Sequence, residues 1–205
     1  MALGRISYCC LVVVDLVEPT EEVLAPAKPS RHRGLVGWIV VLVAAVLVSL
    51  LVRTFVFQTY YIPSKSMEPT LYEGNRIMVD KLSAEFGTIN IGDILVFKAP
   101  PGVLTQCNDP VADLVKRVIG LPGDHLTSRG NTIFVNGVAL KENWSHYEPL
   151  GGSLGNVTVR KGHYFMMGDN HANSCDSRYW GAVPRSDIIG KVFLKFWPLS
   201  QWHWY

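Results

Sequence analysis

Tyr61-Ile62-Pro63-Ser64-Lys65-Ser66-Met67-Glu68-Pro69-Thr70 is a short polar stretch that follows a membrane-length apolar run. Pro63 and Pro69 each fix φ at about −65° and disfavour helix for the preceding residue, so the sequence predicts an extended strand or a turn. In an extended chain, residues two apart face the same way, so Ser64 and Ser66 can present hydroxyl groups to one pocket. Most exposed serines only solvate turns, and the stretch by itself does not separate a nucleophile from a serine-rich loop.

The apolar run before this stretch extends from Leu35 to Val52 and contains no charged side chain. At about 1.5 Å per residue, a helix of this length is about 27 Å long, close to the hydrocarbon thickness of a bilayer. A buried core helix and a cleaved export signal are the alternatives, but no small-residue cleavage pattern follows the run. The sequence therefore predicts an uncleaved transmembrane helix, with its interface, over residues 35–57.

Positive charges are more frequent before the apolar run than after it. Lys28, Arg31 and Arg33 precede the run closely, whereas Arg53 and Lys65 are the nearest cations after it. Because positively charged flanks tend to stay in the cytoplasm, this asymmetry predicts a cytoplasmic segment at 1–34 and an extracytoplasmic domain at 58–205.

The first thirty residues contain no span of membrane length. The apolar patch from Ile6 to Val17 is broken by Asp15, which indicates a weakly amphipathic piece. Cys9 and Cys10 have no metal-ligand spacing and are interpreted as ordinary thiols. Three prolines among acidic residues predict a flexible linker over residues 18–30.

Short apolar runs separated by glycine, proline and asparagine follow Thr70. They predict strands over residues 76–79, 94–97, 115–119, 132–135 and 138–140. Asn136-Gly137 lies between the last two runs and is the dipeptide favoured in two-residue hairpin turns. We therefore expect a mainly β, antiparallel domain.

The composition argues against several classes of partner. The net charge is +2 and the cations are scattered, so no nucleic-acid-binding surface is predicted. None of the six histidines belongs to a His-Glu-x-x-His or Cys-x-x-Cys arrangement, so neither a metal nor another cofactor is implied.

Four ordered stretches carry a resemblance to a known family. The stretch at 61–70 resembles the nucleophile box of the bacterial type I signal peptidases. Three later stretches match the same family in order: Gly92-Asp93-Ile94-Leu95-Val96-Phe97, Lys116-Arg117-Val118-Ile119-Gly120-Leu121-Pro122-Gly123-Asp124, and Gly168-Asp169-Asn170 through Asn173-Ser174-Cys175-Asp176-Ser177-Arg178. With the anchor, the resemblance covers roughly residues 35 to 198, which is more specific than any single motif.

The resemblance implies a fold as well as an activity. It implies one N-terminal transmembrane helix followed by an antiparallel β-sheet catalytic domain of the signal peptidase type. The segment between Asp124 and Gly168 is short, so we expect the second β subdomain of larger family members to be reduced to about a hairpin and a loop.

The resemblance also implies a serine/lysine dyad. Ser66 would be the nucleophile and Lys116 the general base, while the Ser66 N–H and the Ser64 hydroxyl would form the oxyanion hole. Ser174 would orient the lysine amine. A strand lysine usually points to water, and its ordinary pKa of about 10.4 keeps it protonated at neutral pH, so the role requires burial. The apolar neighbours expected to provide that burial are Ile62, Met67, Leu114 and Val115.

Further residues have structural roles by the same resemblance. Arg117 would pair with Asp169, and Asp176 with Arg178, holding the loop that carries Ser174. His171-Ala172 stands where the family most often has Arg-Asp, which suggests that His171 lies in a surface loop. An alternative in which His171 and Asp169 serve Ser66 as a triad is also considered. Cys107 and Cys175 flank the site in sequence, and whether they form a disulfide stays open.

These interpretations converge on a signal peptidase I of the cell membrane. It would cut signal peptides, delivered by the export machinery, after small residues at the −1 and −3 positions. The substrate would bind as an added strand, with pockets lined by Ile62, Pro63, Met67, Leu71, Leu114 and Val115. Membrane lipid would contact the aromatic stretch at 202–205. The alternatives are an inactive anchored β-domain that binds exported proteins and a self-cleaving repressor protease, which the apolar run and the lack of a DNA-binding region disfavour.

Overall fold

The computed structural model describes residues 31–107, 110–145, 150 and 154–205. The predicted amphipathic segment at residues 6–17, with Cys9 and Cys10, and the predicted linker at residues 18–30 lie outside these described residues.

The N-terminal helix α1 (Arg31–Phe55) contains the predicted apolar run and extends beyond it at both ends. Its segment Val36–Arg53 is long and apolar enough to cross a membrane. Leu47 and Leu51 are each 56% exposed, like the other large apolar side chains along this segment. A helix that is apolar on all sides and exposed fits a membrane-anchored protein rather than a helix of a soluble core.

The remainder of the described chain is mainly β, as predicted. Three short helices interrupt the strands: α2 (Lys81–Phe86), α3 (Gly102–Cys107) and α4 (Ser177–Trp180). The strands are β1 (Phe57–Tyr61), β2 (Arg76–Asp80), β3 (Ile94–Lys98), β4 (Asp113–Gly120), β5 (His125–Arg129), β6 (Thr132–Val135), β7 (Val138–Ala139), β8 (Val157–Thr158), β9 (His163–Met167), β10 (Val183–Pro184), β11 (Ile188–Trp197) and β12 (His203–Trp204).

A large antiparallel sheet forms the body of the domain. Its strand order is β1-β2-β11-β3-β4-β9-β10, and β12 pairs with β11. The late strand β11 therefore lies between β2 and β3 and pairs antiparallel with both. This order brings the segment after β1 and the strand β4 into one domain although they are distant in sequence.

The second sheet is small but has four strands, which is more than the hairpin and loop expected between Asp124 and Gly168. Its four strands have the order β7-β6-β5-β8. The β6–β7 hairpin turns at Asn136 and Gly137, whose φ angles are 52° and 82°. Both angles lie in the left-handed region that a two-residue turn requires, which confirms the hairpin expected from the dipeptide.

The core of the domain covers both faces of β3. Ile94 and Val96 pack in one cluster with the buried side chains that follow β1, including Ile62, Met67 and Leu71. The alternate residues of β3 pack in a second cluster on the opposite face. Because successive strand side chains point to opposite faces, burial on both sides explains why β3 is a continuous apolar run.

Candidate active site

The polar stretch that follows β1 forms a tight turn, the Ser66 turn (residues 64–71). A one-turn 3-10 helix covers Lys65–Met67, and the Leu71 N–H donates to the Met67 carbonyl at 2.8 Å. The side chains of Met67 and Leu71 are 1% and 0% exposed and anchor the turn in the core. Of the two predicted conformations, the stretch therefore adopts a turn and not an extended strand.

Ser66 lies against Lys116 of β4. The Lys116 Nζ and the Ser66 Oγ form a hydrogen bond of 2.6 Å, and Lys116 is 3% exposed. The Ser64 Oγ lies 3.3 Å from the Ser66 Oγ. The structure thus brings together the three residues whose hydroxyl and amine groups the sequence analysis placed in one site.

The segment 168–170 holds the Ser66 turn from the other side. The Asn170 N–H donates to the Ser66 carbonyl at 3.1 Å, and the Asn170 Nδ2 donates to the Lys65 carbonyl at 3.2 Å. A Cβ on Gly168 would lie under 3.0 Å from both the Ser66 carbonyl oxygen and the Ser174 Oγ. Only glycine leaves room for this close approach, because its hydrogen takes the place of a methyl group.

A buried ion pair links this segment to the lysine strand. Arg117 donates through Nε and Nη2 to the two Asp169 carboxylate oxygens at 2.8 and 2.7 Å. A third hydrogen bond runs from the Arg117 Nη1 to the Gly92 carbonyl at 2.6 Å, and the guanidinium lies 4.6 Å from the centre of the Trp144 ring. Bidentate pairing of this kind fixes orientation as well as charge.

A second ion pair fixes the loop that carries Ser174. The Arg178 Nε donates to Asp176 Oδ1 at 2.8 Å, and its other nitrogens donate to the carbonyl groups of His171, Ser174 and Leu150. Ser174 is 7% exposed, and its Oγ has no hydrogen-bond partner among the described residues. The Gly168 N–H donates to Asp176 Oδ2 at 3.2 Å, which joins this loop to the 168–170 segment.

His171 does not lie on the surface, and that expectation is wrong. Its side chain is 5% exposed, and its Nε2 lies 3.3 Å from the Glu142 Oε1. The long-range partner Glu142 explains the burial, because a buried imidazole requires a polar neighbour. Asp169 is engaged by Arg117 and by Thr70, so the geometry gives no support to a Ser66–His171–Asp169 triad.

A groove lies beside the Ser66 turn and has a volume of about 210 Å³. Its lining residues come from the end of β1 and the segment after it, and from the first half of β4 and a residue just before it: Tyr60, Tyr61, Ile62, Pro63, Ser64, Ser66, Met67, Val111, Asp113, Leu114, Val115 and Lys116. Five of the six predicted pocket residues are among them. Leu71 is not, because its side chain is wholly buried in the core beneath the turn.

Two sheet edges border this groove. Within the described residues, residues 113–116 of β4 pair with β3 on one side, and the pairing with β9 begins only at Arg117. Among the strands that the structure describes, β1 pairs with β2 alone. Both strands therefore offer unpaired backbone groups, which an extended peptide can bind.

The described residues offer no metal site. Among them, no group of three or more His, Cys, Asp and Glu side chains is placed to hold a metal ion.

The family model described as "Signal peptidase, peptidase S26" matches residues 35–197. The chain belongs to this family. Among its similar relatives, the signal peptidase I of Leptolyngbya laminosa is 38% identical over 86% of this chain and 87% of the relative. The probable signal peptidase I-2 of Synechocystis is 41% identical over 78% of this chain and 72% of the relative. The signal peptidase I of Mycobacterium tuberculosis is 37% identical over 85% of this chain and 76% of the relative.

This signal peptidase family member has a disulfide next to the Ser174 loop. Cys107, the last residue of α3, is bonded to Cys175, and their Cα atoms lie 6.0 Å apart. The bond ties the loop that carries Ser174 to the segment that leads into β4. The sequence analysis had left this pairing open.

The main part of this peptidase site that sequence reasoning missed is Thr70. Its Oγ1 donates to Asp169 Oδ2 at 2.5 Å and accepts from Arg117 Nη2 at 3.2 Å. Thr70 closes the motif at 61–70, but a threonine after a proline gives no sequence signal of a buried partner. Its two partners lie 47 and 99 residues away.

Proposed function

We propose that the chain is a signal peptidase I, an endopeptidase that removes N-terminal signal peptides from exported preproteins. The observation that carries the proposal is the 2.6 Å hydrogen bond between Ser66 and Lys116, formed by a lysine that is 3% exposed. The names of the relatives agree with this activity. No observation favours the inactive anchored β-domain, and the hydrogen bond between the proposed nucleophile and base supports the active reading.

Burial suits Lys116 to the role of general base. Removing water from around an amine disfavours its charged form, and Lys116 is 3% exposed and lies against Ser66. The neutral amine takes the proton from the Ser66 hydroxyl as the serine oxygen attacks the substrate carbonyl. The protonated amine then gives that proton to the leaving amine, which leaves an acyl-enzyme and a neutral lysine that can activate water.

The Ser64 hydroxyl stabilises the charge that develops during this attack. It lies 3.3 Å from the Ser66 Oγ and, with the Ser66 N–H, would donate to the oxyanion. Ser174 would orient the lysine amine. Its buried Oγ lies beside Gly168 and has no other partner among the described residues.

The substrate binds as an extended strand between the two sheet edges. The backbone groups of β1 and of residues 113–116 would pair with the peptide, and alternate substrate side chains would enter the groove. A groove of about 210 Å³ that also holds the catalytic groups accommodates small side chains. Specificity for small residues at the −1 and −3 positions follows from this limit.

The proposed location is the plasma membrane. Helix α1 would span the bilayer once with the N-terminus in the cytoplasm, because the cations cluster before the span. The catalytic domain would then meet signal peptides delivered by the export machinery. The exposed aromatic residues Trp202 and Trp204, at 49% and 61% exposure, would contact membrane lipid.

The test is incubation of the purified full-length protein, in detergent, with a preprotein that ends its signal in Ala-x-Ala. N-terminal sequencing of the product should show a single cut after the second alanine. The rate should rise with pH, because the proposed mechanism needs its general base in the neutral form. The absence of any cleavage by the wild-type protein, in detergent and in lipid vesicles, would refute the proposal.

A further inference from the structure

Lys195 is a buried cation on β11 that the proposed mechanism does not use. Its side chain is 9% exposed, and among the described residues no carboxylate lies within 4.0 Å of its amine. Its Nζ donates instead to the Thr70 carbonyl at 3.1 Å. Burial lowers the pKa of Lys195 from its ordinary value, the expected cost of an ammonium without a counter-charge. An apolar side chain would avoid this cost, so the contact with Thr70 requires an explanation.

Thr70 is the residue through which the Ser66 turn is fixed to the domain. On one side, its Oγ1 contacts the Arg117–Asp169 ion pair. On the other side, its carbonyl accepts from Lys195 and, at 3.2 Å, from the Tyr205 hydroxyl. The pKa of Tyr205 is raised to about 12, chiefly by burial, so this hydroxyl also remains a donor at neutral pH.

The two halves of the candidate dyad depend on this attachment. Ser66 lies on the turn and Lys116 lies on β4, and no covalent constraint sets the 2.6 Å between them. The segment 168–170 holds the turn at the Ser66 carbonyl. Lys195, on β11, holds the same turn at the Thr70 carbonyl, four residues after Ser66. Loss of the Lys195 donor leaves the Thr70 carbonyl with the hydrogen bond from the more exposed Tyr205, and so loosens this end of the turn.

We propose that Lys195 is a positioning residue for peptide cleavage: by binding the Thr70 carbonyl, its amine keeps the Ser66 turn in place so that the Ser66 hydroxyl stays within reach of Lys116. This inference rests on the proposed function for its kinetic test. The groove is bordered by β1 and β4, whereas Lys195 lies on β11, which pairs with β2, β3 and β12, so substrate binding should not depend on it.

The kinetic test compares Lys195→Met with Lys195→Arg and Lys191→Met in the full-length protein. Methionine keeps the length of the side chain and removes the donor, whereas arginine keeps a donor. Lys191 is the matched control, because it lies on the same strand but pairs with Asp93 at 2.7 Å away from the turn. We expect Lys195→Met to lower kcat by about 10- to 100-fold, the range for a displacement of about 1 Å, with KM within about twofold. Lys195→Arg should recover most of the loss, and Lys191→Met should behave like the wild type.

A second measurement does not depend on cleavage. Amide hydrogen exchange of the Ser66 turn should be faster in Lys195→Met and unchanged in Lys191→Met, with the Leu71 amide as the reporter. Failure of the wild-type protein to cleave would refute the proposed function. The exchange result would still show whether Lys195 holds the Ser66 turn in place. Unchanged exchange of the turn overturns the inference. A kcat loss that arginine does not relieve, or a loss expressed mainly in KM, also overturns it.

Discussion

Gly168→Ala adds one methyl group at the point where the 168–170 segment touches the Ser66 turn. A Cβ there would lie under 3.0 Å from the Ser66 carbonyl oxygen and from the Ser174 Oγ. The Asn170 N–H holds that carbonyl at 3.1 Å, and Ser174 is 7% exposed. The Ser66 carbonyl cannot move away without straining its hydrogen bond to Asn170, and the buried Ser174 side chain has little space to retreat into, so we expect the turn itself to shift.

The expected loss has two parts. Overpacking at a buried contact lowers the free energy of unfolding by about 1–3 kcal/mol. A shift of about 1 Å between Ser66 and Lys116 lowers kcat by about 100-fold, which corresponds to about 2.7 kcal/mol in the activation free energy. The assay is the rate of preprotein cleavage per folded molecule, with the folded fraction measured by thermal unfolding.

Two glycine variants serve as controls. Gly190→Ala also lacks room, but the groups in its way are the Val79 side chain and the Asp80 carbonyl of β2. It should lose stability without losing kcat per folded molecule. Gly155→Ala adds a methyl group into open space and should resemble the wild type. Wild-type kcat in Gly168→Ala, or an equal kcat loss in Gly190→Ala, would show that the contact at Gly168 does not position Ser66.

Three further predictions concern the dyad, the disulfide and the anchor. Lys116→Met should abolish cleavage about as completely as Ser66→Ala, and the double variant should be no worse, because the two residues act as one unit; normal turnover in Lys116→Met would exclude it as the base. Replacing Cys107 by serine should lower the free energy of unfolding by about 2–5 kcal/mol, and reductant should have the same effect on the wild type but not on the variant, as followed by denaturant unfolding. The full-length protein should remain in the membrane pellet after carbonate washing because Val36–Arg53 is long and apolar enough to cross a membrane, and its release as an intact chain would contradict a membrane span.

The long helix, the hairpin turn and several strands could be predicted from local sequence patterns. The apolar run without charges predicted the long helix, and Asn136-Gly137 predicted a turn whose geometry those two residues adopt readily. Apolar runs between turn residues predicted five of the twelve described strands, each within two residues of its bounds. In these cases the chemistry that decides the conformation lies within a few residues of the position predicted.

Features that depend on distant partners were not predictable in the same way. His171 is buried because Glu142, which is 29 positions earlier in the chain, lies beside it. Leu71 is a core residue instead of a pocket residue because the 3-10 turn directs it beneath the groove. Lys195 and Tyr205 meet the Thr70 carbonyl from 125 and 135 residues away. No local pattern reports such contacts, and the resemblance to a family supplied roles only for residues inside its motifs.

The position of β11 in the sheet order has a consequence for when activity can begin during synthesis. Strands β1 and β2 carry the Ser66 turn, β3 and β4 carry Lys116, and Ile188–Trp197 joins the two pairs. The two pairs cannot be joined into one sheet until this late strand has been synthesised. Under the proposed function, the nucleophile and the base are therefore held together only late in synthesis. A nascent chain is thereby kept from cutting neighbouring polypeptides, including its own anchor, before the domain is complete.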